Sequence, residues 1–154
     1  MTAYLGWLIE EKILYQISTG NFTDIEYRTI TTISDGLIKA TSHNSSVHMI
    51  VDVAKLTGTP PLAALNISFD IRPGSWIFFT HMENPIFKMV AGIGMQVIKL
   101  PMKIAEDHVV AFQSLQRVDA SLSTYDIPLL EDIQWLVCVQ NDEVISIDTL
   151  PEHI

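Results

Sequence analysis

Asp52, five histidines and one cysteine are the side chains of this sequence with the most chemistry open to them, and their spacing decides how much can be used. Asp52 sits in the apolar run Val47-His48-Met49-Ile50-Val51-Asp52-Val53, at the end of what reads as a buried central strand. Ligands of α/β folds commonly bind at that edge, where magnesium or a partner's arginine could reach the carboxylate. An aspartate there more often accepts N–H bonds from its own loop, and that role is expected of Asp52. His43, His48, His81, His108 and His153 include no pair at a His-x-x-x-His spacing, so no metal site is expected. His48, inside the strand, reads as a sheet-surface residue with one satisfied ring nitrogen rather than a proton carrier. Cys138 lies between Val137 and Val139, which predicts a buried, inert thiol. A lone cysteine also forms no internal disulfide and no cysteine-based metal site, in keeping with a reducing compartment. The sequence has no Gly-x-Ser-x-Gly, Walker or GxGxxG pattern, and Gly92 with Gly94 falls within a helical stretch as a packing feature. No catalytic residue and no cofactor are expected; the chemistry left to the chain is binding.

The elements that must position these groups follow from periodicity. Trp7-Leu8-Ile9-Glu10 and Ile13-Leu14-Tyr15-Gln16-Ile17 flank Glu11-Lys12 and predict an opening hairpin. Thr23-Asp24-Ile25-Glu26 has the spacing of a capping box, and the helix it starts should run to about Ala40, burying Ile30, Ile33 and Leu37. Thr41 to Ser46 is small and polar and predicts an exposed loop before the Val47–Val53 strand. Pro61 opens a second helix with Leu62, Leu65 and Phe69 inward, stopped at Arg72-Pro73-Gly74. Ser75 to Thr80 is the fourth strand, parallel to the third. Asn84-Pro85 caps a third helix with Ile86, Met89, Val90, Ile93 and Val97 in helical period. Leu100, Met102 and Ile104 alternate as a fifth strand, and a final helix from Asp107 carries Ala111, Phe112, Leu115 and Val118. In the remainder, Ile133, Trp135, Val137 and Val139, a turn at Asn141-Asp142, then Ile145 and Ile147 suggest a second hairpin. A helix over Leu129 to Val137 competes with it.

A chain of 154 residues, 48% hydrophobic, fills one core, so a soluble single domain with a C-terminal extension is expected. Its longest apolar run, Met89 to Met95, is far short of the roughly 20 residues of a membrane span. The N-terminus lacks the basic start and apolar run of a signal peptide, and a cytoplasmic location is expected. Net charge is −9, and Arg117 is the last lysine or arginine, so the excess lies in the tail. With no basic stripe elsewhere, nucleic acid is not an expected partner.

The Trp7 start, Val47-His48-Met49-Ile50-Val51-Asp52, Pro73-Gly74-Ser75-Trp76, Asn84-Pro85 and Ala111-Phe112 through Leu115 to Asp119 together resemble the STAS-like domains. The likeness is greatest to small bacterial proteins similar to sporulation anti-sigma-factor antagonists, and it covers about the first four fifths of the chain. It implies an α/β fold with a five-stranded mixed sheet, helices mainly on one side and the order ββαβαβαβα over residues 1–119, with 120–154 an acidic extension packed on the domain or on a second copy. It also implies a non-catalytic regulatory module that binds a protein partner. The loop through Asp52, Lys55, Thr57, Thr59 and Pro60 is the expected interface. Regulated antagonists carry an Asp-Ser-Ser-Gly-like phosphoacceptor there, whereas this chain has Thr57-Gly58-Thr59-Pro60-Pro61 and no serine, so its threonines are expected as turn residues. An alternative follows from Met82, Met89, Met95 and Met102 around the third helix: a small lipophilic ligand held between that helix and the sheet, near Trp76, His81, Asn84, Met89 and Ile93. The tail's apolar alternation further suggests a homodimer.

Overall fold

The computed structural model describes residues 2–21, 23–41, 45–57, 72–85, 88, 89, 92 and 101–148. The expected helix after Pro61, most of the one after Asn84, and the expected contacts Thr59, Pro60 and Ile93 lie outside these. Seven strands form one mixed sheet in the order β5-β4-β3-β2-β1-β6-β7. They are β1 (Thr2–Ile9), β2 (Ile13–Gly20), β3 (His48–Leu56), β4 (Ile77–Thr80), β5 (Met102–Ala105), β6 (Gln134–Gln140) and β7 (Glu143–Ser146). The α/β class is as expected, but the sheet is larger than the five strands foreseen. The reason is β1, whose outer edge would otherwise be left unpaired: β6 adds to it antiparallel, with β7 folding back beyond.

Gly6 makes that addition feasible. A Cβ there would come within 2.6 Å of the Gln134 carbonyl oxygen and 2.9 Å of the Trp135 Cα. Only glycine lets the two backbones approach this closely. The register shifts at the same point, between Leu5 and Gly6. The Leu129–Val137 helix does not form; a 3-10 turn at Leu130–Asp132 leads straight into β6. Asn141 and Asp142 take positive φ in the tight turn that follows, as a two-residue hairpin requires.

β2, β3, β4 and β5 run parallel to one another, so their carboxyl ends share one edge of the sheet. Helix α1 (Asp24–Ala40) starts at Thr23, whose hydroxyl accepts from the Glu26 N–H while the Glu26 carboxylate accepts from the Thr23 N–H, the expected capping box. The expected exposed loop after it is partly held: Thr41 is buried, and the Arg72 guanidinium donates to Thr41, to the Ile38 carbonyl and to the Ser45 carbonyl. A cation bonded to the last carbonyls suits the negative end of the helix. Helix α2 (His108–Val118) is capped by Asp107, which accepts from the Val110 N–H at 2.8 Å, and buries Ala111, Phe112 and Leu115. Val118, expected on that buried stripe, points outward instead.

The two described helices cover opposite faces, not one. Ile30 of α1 joins Leu5, Leu14, Met49, Val51 and Ile77 in one apolar layer. Phe112 and Leu115 of α2 join Tyr4, Ile13, Ile50, Phe78 and Trp135 in the other. This two-sided cover explains why Ile13–Gln16 of β2 and His48–Val51 of β3 are buried without a break. Among the described residues no helix is long and apolar enough to cross a membrane.

Candidate functional site

The alternation of the parallel strands brings polar groups together on the α2 face at their carboxyl edge. Asp52 and Thr80 share a register position, opposite Ala105 on β5. Tyr15 lies one step back on β2, opposite Ile50, and its long side chain spans the difference. Its hydroxyl donates to Asp52 Oδ2 at 3.2 Å. The backbone N–H of Ala54 donates to Oδ1 at 2.9 Å, which is the loop-capping role expected of this aspartate. A third donor was not foreseen: His81 Nδ1 stands 3.1 Å from Oδ2.

His81 follows β4 directly and holds φ of 55°, a left-handed conformation uncommon outside glycine, with asparagine, aspartate and histidine its commonest other occupants. Two backbone bonds fix it there, from the His81 N–H to the Glu106 carbonyl at 3.2 Å and from the Glu83 N–H to the His81 carbonyl at 3.0 Å. A carboxylate oxygen only accepts, so Nδ1 carries the proton of this bond. The side chain is 41% exposed. His81, Met82 and Glu83 border two open clefts of about 490 and 190 Å³. The larger is rimmed by Glu83, Lys88, Glu106 and Asp107 over a floor of Met82, Ile104 and Ala105.

Electrostatics at this edge follow burial and the Asp52 charge. Burial, reinforced by Asp52, pushes the Tyr15 hydroxyl well above its ordinary range, so it keeps its proton and donates it to Asp52. The buried Thr80 hydroxyl opposes that rise, yet Thr80 Oγ1 meets no partner in good hydrogen-bonding geometry. Burial also lowers His108, with Asp107 and Asp52 working against the change and His81 adding to it.

A second aspartate–histidine pair lies deeper on the same face. His48 is not the half-satisfied surface residue expected: it is wholly buried, with both ring nitrogens engaged. Nδ1 accepts from the Trp76 N–H at 3.2 Å, so Nε2 carries the proton and donates to Asp119 Oδ2 at 2.9 Å. Burial lowers the His48 pKa more than Asp119 raises it. Burial works against the Asp119 carboxylate too, but bonds from His48 and Ser121 outweigh it and hold the group below its usual range. This pair ties β3, the entry to β4 and the end of α2 together, with the His48 ring itself fully enclosed.

The expected interface residues divide accordingly. Lys55 and Thr57 are exposed on the rim, and the Thr57 N–H donates to the Gly20 carbonyl at 3.0 Å. Asp52 is turned inward beneath them. Of the residues expected around a lipophilic ligand, the described ones lie in different surroundings. Trp76 packs with the α2-face layer under the Lys103 ammonium, 4.4 Å from its ring, whereas Met82 belongs to the α1-face layer. Asn84 is exposed and Met89 is 60% exposed. His81 joins the Asp52 loop instead. Tyr15 was missed as a site residue because its alternation with Ile13 and Ile17 reads as core; the one available signal was its position beside Asp52 in a parallel register. Cys138 is buried, as expected. Among the described residues no group of His, Cys, Asp and Glu could hold a metal ion.

A scan against protein-family models finds no match for this sequence. Nor does any curated protein match it at a significant level.

Proposed function

We propose that this chain is a non-catalytic, STAS-like regulatory module, of the bacterial signalling kind its sequence resembles, that binds a partner protein at the carboxyl edge of its parallel strands. The observation that carries the reading is the commitment of Asp52. Its carboxylate accepts from Tyr15, Ala54 and His81, so the most reactive group of the loop is spent on shaping it. What remains exposed is a rim, with Lys55 and Thr57 on one side and His81 and Glu83 on the other. Residues on loops held by a rigid scaffold are the usual material of a recognition surface.

A photo-crosslinking amino acid placed at Lys55 in the full chain tests this in native lysate, with the same probe at Arg28 on α1 as the comparison. The expected result is a discrete protein adduct at position 55 that disappears when Thr57→Glu is added. Identical adducts from both positions, or an adduct indifferent to Thr57→Glu, would overturn the reading.

A further inference from the structure

β7 of the C-terminal hairpin lies at the edge of the sheet, four and more strands away from the β3–β4 rim. Among the described residues β7 has a neighbour on one side only. Its ladder with β6 pairs Gln140 with Glu143, Val139 with Val144, Cys138 with Ile145 and Val137 with Ser146. In a two-residue hairpin the pair flanking the turn is hydrogen-bonded and alternate pairs follow suit. The bond from the Ile147 N–H to the Leu136 carbonyl at 3.1 Å fits that phase. It turns the N–H and C=O of Val144 and Ser146 away from β6, to the side where no described strand lies. Val144 and Ile145, on opposite faces, are 53% and 44% exposed.

Exposed edges are ordinarily guarded by lysine, proline or a covering element. The opposite edge strand, β5, carries Lys103 at its second position, held over Trp76. On β7 the guard is one of charge sign alone. No lysine, arginine or histidine occurs from Val118 to Asp148, and Asp142, Glu143 and Asp148 bracket the strand. A second copy meets that charge head-on. The antiparallel self-pairing that uses both Val144 and Ser146 places Asp142 of each copy opposite Asp148 of the other, and like charges directly opposed are destabilising.

We infer that β7 takes an extended, basic segment of another protein as an eighth strand, one whose apolar residues alternate with lysine or arginine. Main-chain bonds to Val144 and Ser146 supply affinity, and the acidic bracket selects the sign of the partner's charge.

The probe is a short fluorescent peptide of alternating lysine and valine, titrated against the full chain and read by anisotropy. Binding is expected to weaken about tenfold from low to high salt, since screening removes the attraction between opposite charges. A glutamate–valine peptide should not bind. N-methylation of the lysine–valine peptide on the alternate residues that face β7 should abolish binding. Val144→Pro removes an outward N–H without touching the β6 ladder, so the variant should stay folded and lose the peptide. Equal binding of the methylated peptide would reduce the effect to charge alone and overturn strand addition. So would equal binding of the glutamate peptide, or Val144→Pro binding unchanged. A dimer that tightens with salt and excludes the peptide would instead assign the edge to a second copy.

Discussion

His48 and His81 each bond an aspartate on the same face of one sheet, at 2.9 and 3.1 Å, and differ in what surrounds them. His48 is fully enclosed and both its nitrogens are used. His81 is 41% exposed, with Nδ1 held by Asp52. The chemistry of the pair is common to both; solvent access sets its purpose. Enclosed, His48 helps fasten three elements and has no ring nitrogen left to offer. At the rim, the aspartate fixes the imidazole and leaves part of the ring open to whatever docks there.

The largest expected effect separates the two by stability. His48→Ala leaves a cavity and strands the Trp76 N–H and the Asp119 carboxylate, and should cost about 3 kcal/mol. His81→Ala, at an exposed position, should cost less than about 1 kcal/mol. Urea unfolding of the two variants measures the difference, and equal losses would break the distinction drawn between the pairs.

A smaller effect concerns pH. His48 is depressed below its ordinary value of 6.5, so the unfolded chain binds its proton first on acidification. Its contribution is therefore complete above pH 6.5 and is lost as pH falls through the depressed folded pKa. His108 is lowered too and adds to the same slope. Stability measured by urea between neutral and mildly acidic pH should fall, and His48→Asn should remove part of that fall. A wild-type stability that is flat over this range would count against a buried neutral His48.

The smallest effect isolates the backbone from the side chain at the rim. His81 holds φ of 55°, which glycine adopts freely. His81→Gly should therefore be about as stable as wild type or better than His81→Ala by about 0.5–1 kcal/mol, although it lacks the same imidazole. If the two variants unfold at the same urea concentration, the left-handed backbone carries no strain worth the name.

Local signals in the sequence were enough to place much of this architecture. The Thr23–Glu26 capping box, the Asp107 cap, the Ile13–Ile17 alternation and the Asn141-Asp142 turn each act over a few residues and needed no knowledge of the rest of the chain. The loop-capping role of Asp52 was legible for the same reason, since its acceptor bond to Ala54 spans two residues.

Other features depend on where distant segments meet. Gly6 looked unremarkable until β6 was laid against it, and the growth of the sheet from five strands to seven follows from that contact. Val118 matched a helical period, yet the period says nothing of how far the sheet extends beneath it. The fates of His48 and His81 were equally closed to a one-dimensional reading, because their partners lie 71 and 29 residues away. The sequence by itself determined which residues could form strands, caps, turns and carboxylate–imidazole bonds, because those preferences are local. Tertiary structure alone decided which aspartate met which histidine and which of the two met water, because burial is a property of the assembled layers.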